Sequence, residues 1–200
     1  MTAIIAFDGP PGSGKTSLIQ ALIDERPNVS LIPTHQVVGE QYGYDLGQFT
    51  AQYGLVAGLR LLMAIERERC EMVQAARQAA TSLVVVDETI GGVLACRLAT
   101  AWAGDAAVSP AATPTAAPYT RFPFFPLRMI VPSIILDIQR APNLPGPSAS
   151  PRFDDLWRVI HRGLVGARGV PVLDVSNHGE GLDRAGAQVM AIMNNIGGRA

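Results

Sequence analysis

The chain has 200 residues, 16 basic and 17 acidic side chains, a formal net charge of -1 and 48% apolar content. That is one domain's worth of sequence with enough apolar material for a core, so a disordered chain is excluded, and the near-neutral balance argues against a nucleic-acid-binding surface. No apolar run approaches the ~18 residues of a membrane span. Met1-Thr2-Ala3 leads into Ile4-Ile5-Ala6-Phe7 without a basic leader, and Cys70 and Cys96 stand alone, so a cytoplasmic protein with reduced thiols is expected.

Residues 3–8 form a nearly continuous apolar run ending on Asp8, the pattern of a strand buried on both faces. A Gly/Pro loop follows, then helical spacing over residues 16–23, a break at Pro27-Asn28 and a short strand at 30–33. Residues 34–48, with Gly39, Tyr42, Gly43, Tyr44 and Gly47, read as a loop, and residues 49–80 as one long helix. Residues 82–87 are the clearest buried strand and 89–103 a helix. The stretch 104–126 is an Ala/Pro-rich insertion, its first half of mobile composition and its second half aromatic. A strand at 133–138, a Pro/Gly loop, a helix at 153–165, a strand at 170–175 and a helix at 182–195 complete the chain. Alternating strands and helices predict a three-layer α/β fold around a central parallel five-stranded sheet, as a single domain over 1–200.

Gly9-Pro10-Pro11-Gly12-Ser13-Gly14-Lys15-Thr16 matches G-x-x-x-x-G-K-[ST] between a predicted strand and a predicted helix. Glycines at these positions let backbone N–H groups turn inward around an anion, and the helix start (Lys15, Thr16, Ser17) adds unsatisfied donors. The pattern predicts ATP binding, with Lys15 at the β- and γ-phosphates and the Thr16 hydroxyl on Mg²⁺. Lys15 is also the only lysine among the 16 basic residues. The 15 arginines fit a drift in composition; a compact ammonium between phosphates explains the exception, because a planar guanidinium does not fit there.

Leu83-Val84-Val85-Val86-Asp87-Glu88 ends a buried strand on two acids. A carboxylate at that strand end, Asp87, suits Mg²⁺ or its waters. Glu88 and Asp8 are the two candidates for the base that takes a proton from an acceptor hydroxyl. His35, in the loop after the second strand, is a candidate acceptor contact.

These residues give the chain a layout that resembles the P-loop nucleoside and nucleotide kinases, most of all the thymidylate kinase group. Phe7-Asp8-Gly9 with Gly12-Ser13-Gly14-Lys15-Thr16 is similar to that group's opening strand and loop, and Leu61 to Arg67 to a helix whose arginine binds the acceptor nucleotide. Val86-Asp87-Glu88-Thr89-Ile90 falls where the group has Asp-Arg-Tyr, Arg152-Phe153-Asp154 where it has Arg-Phe-Glu after its lid, and Val172 to Asn177 where its last strand runs into the loop covering the adenine. The resemblance implies acceptor binding by Arg67, triphosphate contacts from Arg140 and Arg152, and a nucleotide contact from Ser176 and Asn177. It departs at Pro11, at Glu88, which stands in place of an arginine, and at 139–151, where prolines shorten the lid to a loop.

The expected function is an ATP- and Mg²⁺-dependent kinase acting on a small-molecule acceptor, a nucleoside or nucleoside monophosphate. A kinase for another metabolite hydroxyl, a P-loop ATPase and a non-catalytic nucleotide-binding protein are the alternatives. No nucleic-acid or membrane partner is expected, and a homodimer is one option for assembly.

Overall fold

The computed structural model describes residues 2–26, 28–79, 81–103, 129–140, 151–166, 169–176 and 182–197. Five strands, β1 (Ala3–Asp8), β2 (Val29–Ile32), β3 (Leu83–Asp87), β4 (Ile134–Gln139) and β5 (Val172–Ser176), form one all-parallel sheet in the order β2-β3-β1-β4-β5. The helices among the described residues are α1 (Lys15–Glu25), α2 (His35–Gln41), α3 (Leu46–Tyr53), α4 (Leu55–Gln78), α5 (Ile90–Ala103), α6 (Pro151–Gly166) and α7 (Leu182–Gly197). The α/β reading and its five-stranded parallel sheet are therefore correct. None of these helices is long and apolar enough to cross a membrane.

Strand periodicity divides the core into two layers. Ile5 and Phe7 of β1, with Val85 of β3 and Leu136 and Ile138 of β4, pack under α1 and α7 against Leu18, Leu22, Val189 and Met193. Ile4 and Ala6, with Val84, Val86 and Ile135, face the other way onto Val73 and Ala76 of α4 and Val165 of α6. Because both faces are covered, the strands read as unbroken apolar runs. Trp157 and Ile160, expected in the core, are 1% and 3% exposed, packed against Ala95 and Ala99 of α5.

Two expectations about the segment after β2 are corrected. Residues 34–48 are not a plain loop: the Thr34 hydroxyl accepts from Val37 N (3.2 Å) and the Asp45 carboxylate from Gln48 N (2.7 Å), which starts α2 and α3. Both helices are too short for helical periodicity to emerge among their glycines and tyrosines, yet each is pinned by buried residues, Val38 and Leu46. The long helix expected over 49–80 is broken at Gly54, whose φ of 86° and ψ of 168° belong to a region open essentially to glycine alone. Gly54→Ala is expected to destabilise the fold by about 1–3 kcal/mol in urea denaturation, although a Cβ there has open space around it.

The chain turns from one side of the sheet to the other at β1, which lies between β3 and β4. The crevice outside the carboxyl ends of the strands at such a reversal is where open parallel sheets bind ligands. The 104–126 insertion and residues 141–150 of the lid-like segment lie outside the described residues.

Candidate active site

The loop after β1 is held open by three glycines with positive φ: Gly9 (153°), Gly12 (79°) and Gly14 (90°). A Cβ at Gly9 would run into the Ile138 carbonyl and the Ser13 hydroxyl. Pro10, Pro11 and Ser13 form the turn, closed by Ser13 N donating to Pro10 O at 3.2 Å. α1 begins at Lys15 directly from Gly14, with no side-chain cap and no acidic residue in its first turn. Its first N–H groups and its positive dipole end are thus aimed at the loop, an arrangement that fits phosphate oxygens. Thr16 and Ser17 are exposed on that first turn. The Lys15 ammonium folds back across the loop, donating to Gly9 O (2.7 Å) and Pro10 O (3.2 Å).

Beside the loop, β3 delivers Asp87 and Glu88. Asp87 is 8% exposed; burial pushes its carboxyl up from the ordinary carboxylate range against the opposing pull of Lys15 and Arg69. Glu88 follows at φ 69°, a left-handed conformation for a residue that carries a Cβ. Its N–H donates to Phe7 O at 3.1 Å, tying the turn to β1. Burial raises the Glu88 carboxyl to about 7; Lys15 opposes the rise, and Asp8 adds to it. Glu88 is therefore poised to exchange a proton near neutrality.

Asp8, expected as an alternative base, lies in a buried hydrogen-bond network. It is fully buried and accepts from Thr89 N (2.7 Å), Thr89 Oγ1 (2.6 Å) and His161 Nε2 (2.7 Å). Burial pulls its pKa up, but His161 and the Thr89 hydrogen bonds outweigh this and hold it below the ordinary value. Its oxygens are committed to joining β1 to the start of α5 and to α6. Gly92 makes room: a Cβ there would lie 2.7 Å from Asp8 Oδ1 and 3.2 Å from Glu88 Cγ.

His35 lies in the interior and Arg67 on the surface. His35 is 1% exposed and bonds Glu66 Oε2 at 2.9 Å, so its ring is turned into the interior. Burial and the neighbouring Arg69 guanidinium lower its pKa to about 4, against the pull of Glu66, so it is neutral at pH 7. Arg67 is 72% exposed and lies 3.8 Å from Glu71 on the solvent face of α4. The arginine that enters the site is Arg69, two residues on and fully buried. Its Nε donates to Pro33 O (2.8 Å), its Nη1 to Glu66 Oε2 (2.9 Å), and its Nη2 to the carbonyls of Asp87 (3.0 Å) and Glu88 (2.7 Å). Arg69 thereby fixes the left-handed turn that presents both acids.

One feature of the sequence marks Arg69: Leu62, Ile65, Glu66, Arg69, Val73 and Ala76 fall on one buried face of α4, so a charged pair interrupts an apolar stripe. His161, stacked on Trp157 at a centroid distance of 4.5 Å, carries the same mark on α6. Arg69→Met is expected to cost about 3–5 kcal/mol in urea denaturation, because the Glu66 carboxylate, 1% exposed, loses its cation.

At the far side of the crevice, Arg140 at the end of β4 pairs with Asp154 of α6 (Nη2 to Oδ2, 2.6 Å), and Arg152 stands in the first turn of α6. Ser176 is the last residue of β5, and Asn177 lies outside the described residues.

No protein-family model matches the chain, and no curated protein matches it in sequence. Solved structures do. The thymidylate kinase from Candida albicans superposes with a TM-score of 0.64 at 15% identity, covering 97% of this chain and 92% of its own. The thymidylate kinase from Ehrlichia chaffeensis superposes with a TM-score of 0.57 at 14% identity, covering 96% and 98%. Over its described residues this chain thus has the P-loop α/β fold of the thymidylate kinases, at very low sequence identity.

Proposed function

We propose that the protein is an ATP-dependent kinase that transfers the γ-phosphoryl group to the hydroxyl or phosphate oxygen of a small acceptor, a nucleoside or nucleoside monophosphate. The observation that carries this reading is the convergence of Lys15, Asp87 and Glu88 at the C-terminal edge of β1 and β3, with the Glu88 carboxyl near 7. The loop's inward N–H groups and the open start of α1 bind the triphosphate, and Lys15 leaves its two carbonyl acceptors to neutralise the β- and γ-phosphate oxygens. Thr16 and Asp87 are the groups that would hold Mg²⁺, a hydroxyl and a carboxylate being oxygen donors suited to a hard cation. When bound, that ion supplies charge neutralisation on the phosphates.

Glu88 acts as the base for a hydroxyl acceptor. As the acceptor oxygen forms its bond to the γ-phosphorus, the bond to the β–γ bridging oxygen breaks, ADP leaves, and the hydroxyl proton passes to the Glu88 carboxylate. Asp8, Thr89 and Arg69 are positioning residues that hold the turn. The 104–126 insertion and the shortened lid at 139–151 belong, in this reading, to one domain spanning 1–200. Incubation with ATP-Mg²⁺ and a panel of nucleosides and monophosphates, followed by mass spectrometry, is the test. A panel member that gains one phosphoryl group supports the proposal, and acceptor-independent ADP release at the same rate contradicts it.

A further inference from the structure

β1, β4 and β5 run in register, so that Asp8, Asp137 and Asp174 stand side by side in one row across the sheet. Neighbours in such a row are about 4.8 Å apart. The two outer acids are met from α6: His161 Nε2 lies 2.7 Å from Asp8 Oδ2, and Arg162 Nη2 donates to Asp174 Oδ2 at 2.7 Å. Asp137 stands between these pairs, on the face where Ile135 packs in one cluster with Val165 of α6. It is 1% exposed, and among the described residues no ion pair includes it and nothing donates a hydrogen bond to its Oδ2. The charged and titratable groups that face it are Asp8 of β1, Asp174 of β5, and His161 and Arg162 of α6. Three acids thus meet two bases, and even a charged His161 leaves the row one positive charge short. A carboxylate buried without a partner is far costlier than the neutral acid. Among the described residues no cluster of acids and histidines could hold a metal ion, so the missing charge is a proton. Burial pushes the Asp137 carboxyl up from the ordinary carboxylate range; His161 and Arg162 oppose the rise, and Asp174 and Asp8 add to it.

We infer that Asp137 is a proton latch for α6: as the neutral acid it lets the helix seat on the sheet, and loss of its proton puts a third carboxylate in the row and loosens the helix. The latch is a property of the fold and stands apart from the kinase reading. What α6 carries nevertheless joins it to the site, because His161 is a partner of Asp8 and Asp154 pairs with Arg140 at the end of β4. The linkage has one sign. The folded chain holds this proton more tightly than the unfolded chain does, so the contribution to stability is complete below the ordinary carboxylate range and is lost as pH rises through the folded-state titration.

Two measurements on the full chain test this without reference to catalysis. In an infrared titration, the difference between the parent and Asp137→Asn is expected to contain one carboxylic-acid band. That band persists to higher pH than those of exposed aspartates, whose ordinary value is about 3.9. In hydrogen exchange, protection of the α6 amides is expected to fall with rising pH as the band disappears. The fall is steeper than in Asp137→Asn by up to about tenfold per pH unit, whereas the amides of α1, on the other face of the sheet, show no such difference. Asp137→Thr, neutral, of similar volume and suited to a strand, is expected to behave as the asparagine variant does and serves in its place if that variant does not fold. A difference spectrum with no acid band, or with one that titrates alongside the exposed aspartates, would overturn the inference. So would equal pH dependence of α6 protection in the parent and the neutral variants, or a difference that extends equally to α1.

Discussion

Lys15→Ala abolishes nucleotide turnover, and so does Lys15→Arg. The ammonium lies 2.7 Å from Gly9 O and 3.2 Å from Pro10 O, inside a loop too tight at Gly9 to admit even a Cβ. From there a flexible stem can swing it onto phosphate oxygens, whereas a planar guanidinium needs more width than the loop provides. Loss of a preorganised charge aimed at the transferring phosphoryl group is expected to cost about 10²–10³-fold in kcat, read as ADP release with acceptor present. Thermal melting of the ligand-free variants should stay close to the parent's, because Lys15 contributes only two partly buried hydrogen bonds to the fold. Parent-like turnover in Lys15→Arg would remove the explanation for the single lysine in the chain.

Glu88→Gln has two opposite effects. As the base it must be ionised, so kcat in the parent rises with pH through about 7 and levels off above it. The glutamine variant loses about 10²–10⁴-fold in kcat toward a hydroxyl acceptor, together with that acidic limb. Stability moves the other way. The folded-state pKa of Glu88 is raised above its unfolded value, so between about 4.5 and 7 the native state binds more protons than the unfolded chain. Stability therefore falls as pH rises across that window and is lowest, for this group, above pH 7. Removing the carboxylate should stabilise the protein above pH 7 by up to about 3 kcal/mol and leave it nearly unchanged below pH 4.5, measured by urea denaturation at both pH values.

The sheet was legible because burial on both faces writes β1, β3 and β4 as apolar runs, and each of these strands begins within about a residue of its expected start. The Gly9–Thr16 loop was legible because its glycines and lysine are adjacent in sequence. The network behind Glu88 was not, since Arg69, His35 and Glu66 meet Pro33, Asp87 and Ile130 only after β2, α4, β3 and the approach to β4 have assembled. Arg67 and Arg69 look alike in the run Glu66-Arg67-Glu68-Arg69, and only the helical phase separates them, with one at 72% exposure and the other at zero. The surroundings of Asp8 were not legible for a related reason: its partners Thr89 and His161 are 81 and 153 residues away.

The measurement that bears most directly on the account is transfer of labelled γ-phosphate from ATP-Mg²⁺, followed for the parent chain, Lys15→Ala and Glu88→Gln against nucleosides and nucleoside monophosphates. The parent is expected to move label onto one acceptor with one ADP formed per acceptor modified, and both variants are expected to fail. Label released as free phosphate at the same rate with and without acceptor, or transfer that persists in Lys15→Ala, would contradict it.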